Sequence, residues 1–342
     1  MVWSDINSLV NNSGEYMKLA SLKHGRDGQL VIVSHDLQWA VAVPEIAANL
    51  QSVMDDWDAL HPQLASVSHL LNAGKLTNAF PFKPEHAHAP LPRAYQWCEG
   101  SVYLVHLERT RKSTNRELPP SLYTDPGVWQ GVSNYFLPPN DPIPIFDDAW
   151  DIDLEPSIGV ITDDVPMGTL ASQAAAHIKL VVLLNDLSLR AIQIPEMKKG
   201  LGIIQGKPLK TFAPIAVTPE SLGEMWQANM LACAVNVKVN GELIGNALAN
   251  VDYNFDFPTL IEYVARTREI GAGTIISCGT VANRDEKRGN SCLMEKRAVE
   301  ILGTGQASTP YLKFGDQIQI ECLDTNGISV FGAMSHSITK AQ

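Results

Sequence analysis

The sequence predicts an α+β fold in which β-structure dominates, and three observations carry that reading. β-Branched or alternating runs fill the later chain: "SIGVIT", "IKLVVLLND", "CAVNVKVNGELIG", "TIISCGTVA" and "DQIQIECLDTNGISVFGAM". Asn-Gly and similar turn pairs punctuate them. Helical periodicity is confined to a front section and to one later stretch.

Taken in order, residues 1–16 ("MVWSDINSLVNNSGEY") are mostly polar, carry no period, and are read as an extension that need not be ordered. Met17 opens "MKLASLKHGRDGQLVIVS", a hairpin turning at Arg26, Asp27 and Gly28. From Pro44, residues Ile46, Leu50, Val53, Met54 and Trp57 recur at helical spacing, and Pro44 suits an early helical position. A second short helix is expected after Pro62, using Leu64, Val67, Leu70 and Leu71. The stretch Arg109 to Arg116 ("RTRKSTNR") reads as a linker or exposed loop. It separates a small N-terminal α+β domain (17–115) from a strand-rich domain (116–342). The later helix spans Pro258 to Ile270, with Leu260, Ile261 and Val264 inward and Gly271 at the stop. There is no βαβ alternation, no internal repeat and no glycine-rich phosphate loop. "GAGTIIS" leads into a strand instead of opening a helix, which argues against a nucleotide fold.

Composition narrows the function classes. The chain has 342 residues, is 45% hydrophobic, and carries a net charge of −11 from 26 basic and 37 acidic residues. That balance argues against a nucleic-acid partner. No apolar run approaches the roughly 18 residues of a membrane span, and no signal pattern opens the chain. Five scattered cysteines without metal spacing suggest a reduced, cytoplasmic protein.

The chemistry concentrates in four segments. In "LLNDLSLRAIQ" an apolar strand delivers Asp186 to its end, with Arg190 and Gln193 at i+4 and i+7, so a helical turn would bring all three together. A carboxylate, a guanidinium and an amide at a strand exit suit a metal-bound anionic substrate. In "WDIDLEPSIGV", strand period places Asp151, Asp153 and Glu155 on one face, where a hard cation would relieve their repulsion; a solvated acidic face is the plainer alternative. Pro156 suggests an edge or bulge just beyond. In "GIIQGKPLKTFAP", Gly206 allows close backbone approach, Lys207 offers an ammonium and Thr211 a hydroxyl. In "NSCLMEKRAVE", Glu295 in an apolar context makes a general base. Asp125, in "YTDP", sits at a turn where an Asp most often caps the local backbone.

In the order of "YTDP", "DIDLEPSIGV", "NDLSLRAIQ", "GKPLKT", "SCGTVA" and "SCLMEKR", the chain from Met17 onward resembles the fumarylacetoacetate hydrolase family. The resemblance implies a mixed β roll around a carboxylate-bound Mg²⁺ or Mn²⁺, with Ca²⁺ a further candidate, and a homodimer. It implies Asp125, Asp153, Glu155 and Asp186 as metal ligands. Arg190, Gln193 and Lys207 would hold substrate oxygens, Thr211 and Thr280 would touch substrate, and Glu295 would activate water. Asp153 then stands where the family has glutamate, and a register shifted by two would pair Glu155 with Ser157 instead. The histidine that partners the glutamate has no match after "YTDP", and His86 and His88 lie in a Pro-rich loop. The implied activity is hydrolysis of a C–C bond in a small 2-oxo or 1,3-dioxo acid. Its rivals are dehydration, decarboxylation or isomerisation of a keto acid on the same site, or an impaired relative that only binds a small anionic compound.

Overall fold

The computed structural model describes residues 16–324 and 326–342, so the expected extension lies, apart from Tyr16, outside the described residues. β1 (Lys18–Leu22) and β2 (Gln29–Val33) form the expected hairpin, and β3 (Trp39–Ala42) extends it. Gly28 closes the turn at φ +71°, where an added Cβ would lie 2.7 Å from that of Ser21. The first helix, α1 (Leu50–Asp55), starts later than Pro44, because Asn49 caps it by accepting the Ser52 N–H at 2.9 Å. The second, α2 (Trp57–Asn72), starts before Pro62 and runs through it. The carbonyl that loses its donor there belongs to Asp58, an exposed residue, so the lost bond does not leave a buried polar group.

β4 (Phe80–Pro81) and β5 (Trp97–Gly100) precede α3 (Leu104–Lys112). α3 takes in half of the stretch read as a linker: Arg109 to Lys112 are helical and Thr110 is buried. Then come β6 (Val128–Gln130), β7 (Ile143–Ile145), β8 (Ile152–Asp153), β9 (Pro156–Thr162) and the single turn α4 (Ala171–Ala174). β10 (Ile178–Asp186), β11 (Ser188–Leu189) and α5 (Arg190–Lys198) follow. β12 (Lys210–Phe212), β13 (Ala216–Val217), α6 (Pro219–Leu222), β14 (Trp226–Gln227) and β15 (Met230–Leu231) lead to the hairpin of β16 (Ala234–Val239) and β17 (Glu242–Leu248). Its turn is Asn240-Gly241, both at positive φ, which suits a two-residue hairpin. Last are α7 (Phe257–Ala265), β18 (Thr274–Ser277), α8 (Leu293–Thr304), β19 (Gln317–Leu323) and β20 (Met334–Lys340). α7 buries Leu260, Ile261 and Val264 as expected but stops at Ala265, short of Gly271.

Among the described residues these strands build a mixed eleven-stranded sheet, ordered β4-β3-β2-β1-β13-β10-β9-β18-β5-β6 with β12 against β10, and a five-stranded sheet, β17-β16-β19-β20-β7. The large sheet runs without a break from the N-terminal hairpin into the later chain through β1 and β13. No helix among the described residues is long and apolar enough to cross a membrane.

His336, on β20, tests the packing of the smaller sheet. It is 1% exposed, its Nδ1 lies 2.7 Å from the Asp141 carbonyl, and its Nε2 has no hydrogen-bond partner among the described residues. Burial lowers the imidazole from 6.5 to about 4, so the fold holds it neutral. Such a group contributes stability that is fully present above its unfolded value and is lost as pH falls toward its folded one. Between about pH 7.5 and pH 5 the protein is expected to lose roughly 2 kcal/mol from this residue. Urea unfolding of the protein and of His336→Gln at both pH values checks it; equal losses in the two would remove His336 as the cause.

Candidate active site

β10 positions the site. From Leu180 to Leu184 it is apolar and buried, leading to Asn185 and Asp186, and it pairs with β9 on one side and with β12 and β13 on the other. Asn185 Oδ1 accepts the Glu155 backbone N–H at 2.8 Å, and the Asp186 N–H donates to the Glu155 carbonyl at 2.9 Å. These two bonds set Glu155 against Asp186. Glu99 joins them from β5, accepting the Trp129 indole N–H at 3.0 Å. One carboxylate oxygen from each of Glu99, Glu155 and Asp186 lies within 4.8 Å of the others.

Three cations face this cluster. Lys207 Nζ donates to Asp186 Oδ2 at 2.5 Å and also to Glu155 Oε2. Gly206 makes this possible, because a Cβ there would fall 2.5 Å from the Gln193 Cα. Lys210 is wholly buried, with Nζ 3.1 Å from Asp186 Oδ1 and 4.1 Å from the Trp97 ring centre. Arg190 opens α5 and donates to Glu155 Oε1. Burial works against charge on these carboxylates. Even so, Arg190 and Lys207 hold Glu155 well below the usual carboxylate range, and Lys207 and Lys210 lower Asp186. Glu99 goes the other way: burial, then the Asp186 carboxylate, push its carboxyl well above the usual range.

The structure rearranges the expected ligand set. Asp151, Asp153 and Glu155 do not share a strand face, since Asp151 sits at φ +56° and β8 ends at Asp153. Pro156 begins a central strand, where a first residue needs no ladder donor. Asp153 is turned away from the cluster. Its Oδ1 accepts the N–H groups of Leu154 and Leu293 at 2.9 and 2.8 Å. Its Oδ2 accepts the Met294 N–H and two Arg190 N–H groups at 2.8–2.9 Å. Five donors leave it no lone pair directed at a metal; it anchors Arg190 and the α8 N-terminus instead. Ser157, the residue of the shifted register, is likewise engaged, accepting the Gly279 N–H at 3.0 Å. Asp125 is exposed in a surface turn, its N–H on the Ser121 carbonyl. Glu99 stands in the cluster in its place. Thr211 lies one residue from Lys210 on β12, so it faces the opposite side of the sheet, where its hydroxyl meets Met334 Sδ at 3.5 Å. Thr280 and Gln193 do line the cavity.

Arg190 was expected to grip a substrate carboxylate. Its Nε and Nη2 are held by Asp153 and Glu155, and its Nη1 by Gln193 Oε1 at 2.8 Å. The guanidinium therefore positions Glu155 and Gln193, and the fork it would offer a ligand is already filled.

The histidine missing after "YTDP" is supplied from elsewhere. His106, on α3, brings Nδ1 to 3.5 Å from Glu295 Oε2, while Arg109, one turn on, donates to Glu295 Oε1 at 2.6 Å. Glu295 is fully buried and does not reach the cavity, whereas His106 lines it. Burial opposes the Glu295 charge, but His106 and Arg109 outweigh it and keep the carboxyl low. The sequence reading thus named the buried half of the pair and missed the exposed half. The signal was present: Glu99 and His106 sit on one strand-to-helix connection, "CEGSVYLVH", where both point to the same cavity.

That cavity has a volume of about 390 Å³, within the usual range for small-molecule sites. Glu99, Glu155, Lys207, Gln193, His106 and Thr280 are among its polar lining, and Leu107, Ile194 and Met197 among its apolar wall. Among the described residues Glu99 Oε1 is buried without a hydrogen-bond partner, and Asp186 Oδ1 faces only the Lys210 ammonium, at 3.1 Å. Three converging carboxylates offer oxygen donors alone, which are hard, so the set fits Mg²⁺, Mn²⁺ or Ca²⁺.

Comparison with known proteins agrees with this architecture. The profile of the fumarylacetoacetate (FAA) hydrolase C-terminal family matches residues 96–339, and that of fumarylacetoacetase N-terminal domain 2 matches residues 17–93. An uncharacterised protein of Pyrococcus abyssi is 25% identical over 179 residues, 52% of this chain and 77% of its own length. Maleylpyruvate hydrolase from Sphingobium sp. SYK-6, solved with manganese (II) ion and pyruvate, superposes with a TM-score of 0.64 at 14% identity, over 95% of this chain and 100% of its own. Fumarylacetoacetate hydrolase from Exiguobacterium antarcticum gives 0.58 at 18% identity, with 95% and 100% covered. The 2-hydroxyhepta-2,4-diene-1,7-dioate isomerase of Mycobacterium marinum gives 0.58 at 14%, with 95% and 98% covered. With the two profiles spanning nearly all of its described length, the chain belongs to the fumarylacetoacetate hydrolase family.

Proposed function

We propose that this protein is a metal-dependent hydrolase that cleaves a C–C bond in a small 2-oxo or 1,3-dioxo acid of the acylpyruvate kind. The observation that most supports this reading is the Arg109–Glu295–His106 relay ending at the wall of a cavity whose polar end is a carboxylate cluster. A divalent ion held by Glu99, Glu155 and Asp186 would supply Lewis-acid polarisation of substrate oxygens.

The residues of the chain divide the remaining work. His106 takes a proton from water, with Glu295 behind it to offset the imidazolium charge, as in other carboxylate–imidazole relays. The hydroxide adds to the acyl carbonyl carbon. The C–C bond then breaks, its electron pair leaving as the enolate of the 2-oxo acid, and the acyl half becomes a carboxylic acid. Lys207 and the Gln193 amide face the enolate oxygen, where charge develops. The proton taken by His106 is the one the enolate carbon needs, so the relay ends as it began. The family neighbours named as a hydrolase and an isomerase support the acid class and make isomerisation the leading rival.

Calorimetric titration of chelator-stripped protein with Mn²⁺, with and without oxalate as an enolate mimic, tests the reading. About one ion per chain is expected, bound more tightly with oxalate. A panel of acylpyruvates should then yield two acids per turnover. A single product of unchanged mass would replace hydrolysis by isomerisation, and loss of water or CO₂ would replace it by dehydration or decarboxylation. No binding in either titration would leave only the non-catalytic reading.

A further inference from the structure

We infer that Cys292, His106 and Glu295 form a second metal site, selective for Zn²⁺, and that zinc bound there switches off the relay. Three ligand atoms of different type converge. Cys292 Sγ lies 4.0 Å from His106 Nδ1, that nitrogen lies 3.5 Å from Glu295 Oε2, and all three fall within 4.8 Å of one another. Bonds of about 2.3 Å to sulfur and 2.0–2.1 Å to nitrogen and oxygen put tetrahedral zinc ligands roughly 3.3–3.6 Å apart. The side chains stand close to that spacing before a metal arrives.

A second observation points to a ligand. Glu295 Oε2 is buried and, among the described residues, meets only the His106 ring nitrogen, at 3.5 Å and beyond ordinary hydrogen-bond length, whereas the other oxygen of the same carboxylate is held by Arg109 at 2.6 Å. The unsatisfied oxygen is the one aimed at His106. Leaving such an atom unpaired is costly, and a cation on that side removes the cost. His106 lines the cavity, so the fourth position of a tetrahedral shell opens toward solvent.

Donor type separates this site from the carboxylate cluster. Glu99, Glu155 and Asp186 offer oxygen alone and suit hard ions, whereas a thiolate with an imidazole prefers zinc over magnesium. Cys292 also caps α8, where the Glu295 N–H approaches its sulfur at 3.4 Å; burial, then the Asp153 carboxylate, push the thiol well above its usual range, so it is a bound cation that would ionise it. Binding forms a Zn–S bond, breaks S–H and releases that proton to solvent. It also takes the Nδ1 and Oε2 atoms through which His106 and Glu295 act on each other. The site itself rests on geometry; only its inhibitory effect rests on the proposed hydrolase reading.

Co²⁺ serves as the spectroscopic stand-in, added with Mg²⁺ in excess to occupy the carboxylate cluster. The protein is expected to show a near-ultraviolet thiolate-to-cobalt band at about one ion per chain, abolished by added Zn²⁺ and absent in Cys292→Ser. Serine is a good helix N-cap, so this variant should fold and, without zinc, keep its activity. Zinc should inhibit the protein at least about tenfold more tightly than Cys292→Ser, as expected on losing one metal ligand. No band in the native protein, or a band that survives in Cys292→Ser, would overturn the site. A band with equal zinc inhibition in both proteins would overturn the switch. A band in a protein that cleaves no acylpyruvate would count against the hydrolase reading and leave the site standing.

Discussion

His106→Gln is expected to lower the rate of C–C cleavage about a hundredfold to ten-thousandfold, the usual effect of losing a general base. His106 is the member of the relay that lines the cavity, so no neighbour can take its place. Divalent-ion binding should stay unchanged, because the imidazole is not among the three carboxylates of the cluster. Glu295→Gln should act through His106 and not on substrate: kcat falls while KM and Mn²⁺ affinity hold. Glutamine preserves the shape and an acceptor for Arg109, which separates loss of charge from loss of packing. Steady-state kinetics with calorimetric Mn²⁺ titration on both variants is the measurement. Full activity in His106→Gln would remove the relay from the mechanism, and a change in KM alone for Glu295→Gln would make that residue merely structural.

Asp186→Asn is expected both to abolish divalent-ion binding and to destabilise the fold by about 3–5 kcal/mol, as removal of one partner from a buried ion pair does. Two ammonium groups face this carboxylate, Lys207 at 2.5 Å and Lys210 at 3.1 Å. Lys207 retains Glu155 as a partner, whereas among the described residues Lys210 has Asp186 alone besides the rings of Trp97 and Trp129. The larger share of the loss should therefore come from Lys210. Adding Lys210→Met should restore most of the stability, since methionine fills similar space without charge, and should leave ion binding abolished. Urea midpoints for the two single variants and the double one give the coupling. Additive losses would mean the Asp186–Lys210 pair contributes nothing.

Much of the fold was legible because local rules govern it. The Gly28 turn, the Asn240-Gly241 hairpin, the buried run of β10 and the inward face of α7 each follow from φ preferences or side-chain period within a few residues. Where local reading failed, tertiary burial had overridden it. "RTRKSTNR" is basic and polar, yet its first half is helical, because Leu104 and Val105 bury one face of α3 and Glu295 receives Arg109. α2 runs through Pro62 because Trp57 and Leu64 are packed on either side of it.

The site divides along the same line. By itself the sequence determined that Asp186, Arg190 and Gln193 lie together, since one strand and one helical turn carry them within a short span; Lys207 joined them through the family resemblance. It also identified Glu155, which reaches Asp186 through the neighbouring strand β9. Only the tertiary structure decided that Asp153 anchors α8, that Asp125 stays at the surface, and that Glu99 and His106 complete the site. Arg109 and Glu295 are 186 residues apart, and no local pattern records a contact of that range. Such a contact is set by which sheet edge β5 joins and which way α3 then turns. Those choices are made by burial of the whole apolar surface, a sum over many side chains that no single segment contains.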